Sequence, residues 1–316
     1  MMAQDGLVSV ILPVYNGERF VRAALDSVLA QTYRPIEVIV VNDGSTDGSE
    51  AILKEYGDRI RYIMQKNAGP AAATNRGIAE ARGEWIAFQH ADDLWAPDKI
   101  EDQLLAAQAD DAVVDCRMRV IDESGHVVGE SWRPFVVGSP PLTEWMTVGC
   151  RASMSALVRR RAVQAVDGFD SANRLGTDDY QFWLALVATG HRFRFIDKVL
   201  ASYRRHGGNV SSNTTRMLCG DIYALEQTRR KYPRAFGKAE MKAYHERLYE
   251  VHSDVAWMLY NPGDYAAAAR HFRGAIRHKP TSLKSWAYAV ATHVPFRNRV
   301  LPPARRILRA IRGTWS

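Results

Sequence analysis

The first hundred residues alternate short β-branched runs with segments whose apolar residues recur at helical spacing, and this alternation constrains the fold more than any other feature. Residues 8–13, 36–41, 60–64 and 85–89 are short, apolar and bounded by polar turns, as strands buried on both faces are. Between them, 20–30 puts Val21, Leu25, Val28 and Leu29 on one helical face, 46–56 follows a Gly-Ser turn, and 70–81 opens with proline at a first-turn position. Three β-α units in series feed a fourth strand, which predicts an α/β fold with a Rossmann-like, mostly parallel sheet flanked by helices. Further on, the spacing of Ile100, Leu104 and Ala107 predicts a helix over 98–109, and 113–121 alternates like a strand. A helix over 178–189 and a closing strand over 200–204 follow, and from about 215 the chain reads as an all-α C-terminal region.

Ligands of open α/β sheets bind beyond the carboxyl ends of the strands. Here those ends are Pro13-Val14-Tyr15-Asn16-Gly17, Asn42-Asp43-Gly44-Ser45-Thr46-Asp47 and His90-Ala91-Asp92-Asp93. The first turn, Tyr-Asn-Gly-Glu-Arg, lacks the glycine pattern of a dinucleotide site, and there is no Walker A sequence. Asp92 and Asp93 are hard oxygen ligands of the kind that hold a divalent cation against a diphosphate. Read alone, they serve equally well as the cap of the next helix. Asp178 and Asp179 open a helix, where acids sit favourably against the dipole; one of them as a general base is the competing reading.

The ordered segments VSVILPVYNGERFVRAALDSVLAQTYRPIEVIVVNDGSTDGS, KNAGPAAATNRGIAEARGEWIAFQHADD, GTDDYQFWLAL and YRRHGGNVS resemble the successive motifs of the family 2 glycosyltransferases with the GT-A fold. The resemblance runs from about residue 7 to 212, roughly two-thirds of the chain. It implies an inverting, metal-dependent transferase using a nucleotide-diphospho-sugar, a UDP-sugar foremost, with Mn2+ or Mg2+ as cofactor and a glycan or lipid-linked acceptor in cell-surface polysaccharide or glycolipid synthesis. It places Pro13, Tyr15 and Asn16 along base and ribose, Asp43 on the base N–H, and Asn67 and Asn75 on the far side of that pocket. Asp43 as a turn former is compatible with that role. The metal falls to Asp92 and Asp93, with His206 facing metal or diphosphate and Arg204 or Arg205 as a phosphate partner. Asp179, the second member of the Asp178-Asp179 pair, becomes the general base. Two positions depart from the pattern: His90 stands where an aspartate is usual, leaving it a hydrogen bond to the ribose, and Thr74 stands where an arginine is usual.

The net charge of +7 is unevenly spread: the last 52 residues hold eleven Lys or Arg and no acid, leaving 31 basic against 35 acidic residues over 1–264. An acidic body without a reading motif argues against nucleic acid as a partner. Three widely spaced cysteines, Cys116, Cys150 and Cys219, fit neither a disulfide framework nor a zinc site and point to a reducing compartment. No apolar run is long enough to span a bilayer and no signal peptide is evident, so a cytoplasmic location is expected.

The expected organisation is a catalytic domain over 1–214 and a helical region over 215–316. Within the latter, Gly263, Tyr265, Ala268, Phe272, Ala275 and Pro280 match the second helix of a tetratricopeptide-like unit over about 240–280, a surface for a protein partner; a plain helical hairpin accounts for them as well. The segment over about 302–316 reads as a basic amphipathic helix, with Ala304, Ile307, Leu308, Ile311 and Trp315 opposite Arg305, Arg306, Arg309 and Arg312. Two readings stand for it: peripheral binding at the inner face of the membrane, or packing on the domain. The rival functional classes are a catalytically inactive nucleotide-sugar-binding scaffold and a glycoside hydrolase; acids gathered at strand ends argue against the latter.

Overall fold

A computed structural model describes residues 4–130, 138–150 and 152–292. The basic helix expected over 302–316 lies outside them. The N-terminal β-α units form as the alternation predicts: β1 (Gln4–Val14), α1 (Val21–Leu29), β2 (Ile36–Asn42), α2 (Ser49–Lys54), β3 (Arg61–Met64), α3 (Pro70–Glu80) and β4 (Gly83–Phe88). There follow β5 (Leu94–Trp95), α4 (Lys99–Ala106), β6 (Asp111–Ile121), β7 (Val127–Glu130), α5 (Leu142–Val148), β8 (Leu157–Arg159), α6 (Arg160–Ala165), α7 (Asp178–Ala188) and β9 (Arg192–Arg204). The chain continues in helices only: α8 (Thr214–Lys231), α9 (Lys238–Tyr260), α10 (Tyr265–His278) and α11 (Leu283–Ala291).

Among the described residues the strands form one sheet in the order β3-β2-β1-β4-β8-β6-β9-β5, with β7 on β6. The β3-β2-β1-β4 half is parallel, and β8 joins antiparallel to both β4 and β6. Because two antiparallel steps restore direction and β9 is parallel to β6, β9 runs the same way as β1, β2 and β4. The carboxyl ends of all four therefore lie on one edge, which lets Asp92 and His206, 114 residues apart in sequence, meet there.

Both faces of the sheet are covered, which is why its strands read as apolar runs rather than alternating ones. Val8, Val10, Leu12 and Val14 face a layer that includes Leu25 and Val28 of α1. Ile11, Ile39 and Phe88 face the other way, toward Trp145 of α5 and Phe182 and Trp183 of α7. Helix α7 is buried nearly all round because α8 and α5 pack against it, and Leu225, Tyr244, Leu248 and Val251 belong to the same core. Helices α9 and α10 pack as a hairpin whose own small core joins Trp257, Tyr260, Ala268 and Phe272. No described helix is long and apolar enough to cross a membrane.

Candidate active site

The turn that leaves β4 carries the acids. Asp93 is buried, and its Oδ1 accepts the backbone N–H of Arg204 at 2.9 Å, which ties this turn to the end of β9. Gln89, also buried, closes the turn from within by donating Nε2–H to the Asp93 carbonyl at 2.7 Å. Asp92 is half-buried; its Oδ2 accepts from His206 Nε2 at 2.9 Å and from Asn209 Nδ2 at 3.4 Å. The other nitrogen of His206, Nδ1, accepts the N–H of Gly208 at 3.2 Å, so the proton belongs on Nε2 and the ring donates to Asp92. With both nitrogens engaged, the His206 ring is fixed and orients the Asp92 carboxylate.

The histidine within reach of both acids is His90. Ligand atoms of His90, Asp92 and Asp93 all lie within 4.8 Å of one another, and among the described residues no other set of three such groups does so. One imidazole nitrogen with two carboxylates suits a divalent transition ion. Burial pulls the His90 ring toward the neutral form, but its hydrogen bond with Asp93 and the charges of Asp93, Asp92 and Asp179 outweigh this and raise its pKa to about 9. The field that holds a proton on His90 is one that favours a cation at this place.

Asp178 and Asp179 begin α7, whose burial against the sheet fixes where they stand. Burial raises both carboxyls. The neighbouring charge of Asp179 lifts Asp178 further, to about 7. The Tyr180 N–H, accepted by Asp179 Oδ1 at 2.7 Å, and the charge of His90 restrain the rise of Asp179. The mutual influence of Asp179 and His90 puts the start of α7 and the acidic turn in one electrostatic neighbourhood.

The ends of β1 and β2 lie side by side, Val14 opposite Asn42. Pro13 is half-buried, while Tyr15, Asn16 and Asn67 are exposed at the mouth they border. Asn16 adopts a positive φ of 50° and its Oδ1 accepts the N–H of Thr46 at 2.8 Å, stitching the two turns together. Asp43 is buried, and three donors converge on its carboxylate: Gln65 Nε2 at 2.7 Å, the Ala68 N–H at 2.9 Å and the Gly69 N–H at 2.8 Å. Its first task is to latch the loop before α3. Next to it Gly44 has φ +72° and lies so close to this loop that a Cβ would come within 2.9 Å of the Asn67 backbone nitrogen, so only glycine fits.

Two expected ligand contacts take a different form. Arg204 is buried, its Nε and Nη1 donating to the carbonyls of Asp92, Asp122 and Glu123, with its guanidinium 4.9 Å over the Phe20 ring. It holds segments together, and Arg205 is the exposed one of the two. Asn75 is tied to the loop before α7: its amide accepts the Phe169 N–H at 2.9 Å and donates to the Phe169 carbonyl at 2.7 Å. Burying such an amide without those bonds would be costly, and the loop before α7 supplies both. Residues that the sequence did not single out are Gln89, Asn209 and Phe20, the last packed 5.0 Å from the His206 ring. Asn209 lies inside the YRRHGGNVS segment and was open to recognition there; nothing local distinguishes Gln89 or Phe20.

The Glycosyl transferase family 2 model matches residues 9–166, which span β1 through α6 and include the acidic turn. An uncharacterized glycosyltransferase of Rickettsia typhi is 32% identical over 260 residues, covering 79% of this chain and 79% of its own. The Escherichia coli UDP-Glc:alpha-D-GlcNAc-diphosphoundecaprenol beta-1,3-glucosyltransferase WfaP is 29% identical over 210 residues, 66% of this chain and 80% of its own. Among solved structures, the mannosyltransferase PcManGT of Pyrobaculum calidifontis in complex with GDP-Man and Mn2+ shares the fold with a TM-score of 0.57, at 21% identity over 98% of this chain and 87% of its own. With strand ends, acidic turn and relatives in agreement over this span, the chain is a glycosyltransferase and belongs to glycosyl transferase family 2.

Proposed function

We propose that the enzyme is an inverting, metal-dependent transferase that moves a sugar from a nucleotide-diphospho-sugar, a UDP-sugar in the first place, to a hydroxyl of a glycan or lipid-linked acceptor. The observation that carries this reading is the meeting of His90, Asp92 and Asp93 within 4.8 Å at the sheet edge where α7 begins with its two aspartates. Support for a UDP-sugar and a lipid diphosphate acceptor comes from the name of the E. coli relative, and for manganese from the Pyrobaculum structure.

In this reading Tyr15, Asn16 and Asn67 border the nucleoside, on the loop that Asp43 holds. His90, Asp92 and Asp93 would hold Mn2+ or Mg2+, whose chemistry is to neutralise the diphosphate in the ground state and as it departs. Arg205 adds a second positive group on that side. Asp179 takes the proton of the acceptor hydroxyl while its oxygen bonds to the anomeric carbon. The bond from that carbon to the diphosphate oxygen breaks with its electrons, and attack from the opposite face inverts the configuration. A carboxyl raised by burial suits this work, because it binds a proton more strongly than an exposed aspartate does. Residues 1–214 make up the catalytic part, and 215–316 an extension for a protein or membrane partner, with peripheral attachment through the basic tail.

The test is a melting-temperature panel of nucleotide sugars with and without manganese, followed by transfer and assignment of the product anomer. A donor-dependent rise that chelator abolishes, with an inverted product, is expected. Donor binding indifferent to chelator would overturn the metal dependence, and a retained anomer would overturn the single-base mechanism.

A further inference from the structure

Four of the nine histidines sit between α9 and α10, outside the catalytic edge. His245 and His252 are seven residues apart on α9, His271 and His278 seven apart on α10, so each pair shares one helical face two turns apart. The antiparallel hairpin brings them into two rungs. His245 Nδ1 and His278 Nδ1 are 3.0 Å apart, and His252 Nδ1 and His271 Nδ1 are 3.1 Å apart. The rings of His252 and His278 stack between the rungs at 5.8 Å. Gly274 leaves the space for this, since a Cβ there would come within 2.6 Å of the His252 ring.

Two nitrogens bound at about 2.1 Å to one ion, at angles of about 90° to 110°, stand about 3.0–3.4 Å apart. Both rungs have that separation. All four residues are half-buried, within reach of an ion from solvent and of water to complete its coordination. Burial, with the charges of neighbouring histidines and of Arg277, lowers His252 and His278 to about 4; burial, with the charge of Arg270, lowers His271. These three rings are thus neutral, the form that binds metals. Neither rung gains a third histidine, cysteine or carboxylate ligand among the described residues. A pure imidazole set favours Cu2+, Ni2+ and Zn2+ and has little affinity for Mg2+ or Ca2+.

We propose that the α9–α10 hairpin is a second metal-binding element, with one transition-metal ion of the copper, nickel or zinc class held by each histidine rung and clipping the two helices together. On binding, the ring whose Nδ1 carries the shared proton shifts to its other neutral tautomer, so that both Nδ1 lone pairs face the ion. The element is separate from the oxygen-rich catalytic site and does not depend on the mechanism proposed for it.

The experiment uses the full chain without an affinity tag, stripped with chelator and titrated calorimetrically with Zn2+. The variants are His245→Gln/His278→Gln, His252→Gln/His271→Gln and the fourfold combination. Each double variant should lose one equivalent of Zn2+, and the fourfold variant both. Wild type should show a saturable rise in melting temperature with Zn2+ or Ni2+ that exceeds the rise left in the fourfold variant, which keeps His90, Asp92 and Asp93. Should the fourfold variant fail to fold, Cu2+ bound to wild type must still show an electron-paramagnetic spectrum with two coordinated nitrogens per ion. Unchanged stoichiometry in both double variants, or a copper spectrum with fewer than two nitrogens, overturns the proposal. Donor binding is expected to be unchanged in either double variant.

Discussion

Asp92 and His206 lie 114 residues apart in the chain and 2.9 Å apart in space, the histidine donating to the carboxylate from a ring whose other nitrogen is held by the Gly208 backbone. A partner of this kind fixes the direction of a metal-binding oxygen, and losing it typically costs about 10–100-fold in metal affinity. His206→Gln should therefore raise the manganese concentration needed for half-maximal activity by about that factor, with much of the turnover returning at saturating metal. Asp92→Asn should remove metal-dependent donor binding outright. Titration of donor binding against manganese separates the two.

Asp179→Asn keeps size and hydrogen bonding while removing the proton acceptor. Turnover should fall by about 10²–10⁴-fold, the usual worth of a positioned base, while the donor dissociation constant stays within about twofold. Unchanged turnover would exclude Asp179 as the base. Asp178→Asn should be the milder change.

The activity of the enzyme should also fall on the acid side at a higher pH than an ordinary aspartate would give. A base works only when ionised, and burial raises the pKa of Asp179, so its charge is lost sooner as pH decreases. Asp178 is itself lifted to about 7 by burial and by the charge of Asp179, so Asp179 is the first of the two to ionise. The pH dependence of kcat/KM in wild type should show this elevated acid limb. In Asp178→Asn the limb should stay in place, because Asp178, lifted to about 7, is already largely protonated where Asp179 loses its charge.

Because one of the three converging ligand atoms is an imidazole nitrogen, manganese should support transfer at lower concentration than magnesium, which prefers all-oxygen shells. His90→Asp turns the set into oxygens alone. Activation curves for the two ions should then draw closer together.

Stability can be probed far from the chemistry. Gly77 brings α3 against β1 so closely that a Cβ would come within 2.5 Å of Ile11 Cγ2. Gly77→Ala should cost about 1–3 kcal/mol through overpacking, read as a lower denaturation midpoint at unchanged slope. An isostable variant would mean that the helix can lift away from the sheet.

The sequence was most informative where one physical rule acts alone. Buried parallel strands must be apolar throughout, so 36–41 announces β2 almost to the residue, and proline at a first turn marks the start of α3 at Pro70. The short strands β5 and β8 escape notice because their partners are remote, β5 on β9 and β8 between β4 and β6. The same limit applies to the site. Asp92, Asp93, Asp178 and Asp179 stand out as acids at element ends. What Arg204, Asn75 and Asp43 do with their polar groups depends on carbonyls and N–H groups brought from 22 to 112 residues away. A motif names a residue type, and only the assembled sheet decides whether its hydrogen bonds are left over for a ligand.

The pair of bonds between Asn75 and the backbone of Phe169 reaches across 94 residues, from α3 to the loop that leads into α7. An amide anchored at both its oxygen and its nitrogen resists sliding as well as separation. The two halves of the cleft are consequently gauged against each other before any substrate arrives. They cannot part like jaws without breaking this clasp, so the spacing between α3 and the start of α7 is a dimension of the scaffold itself.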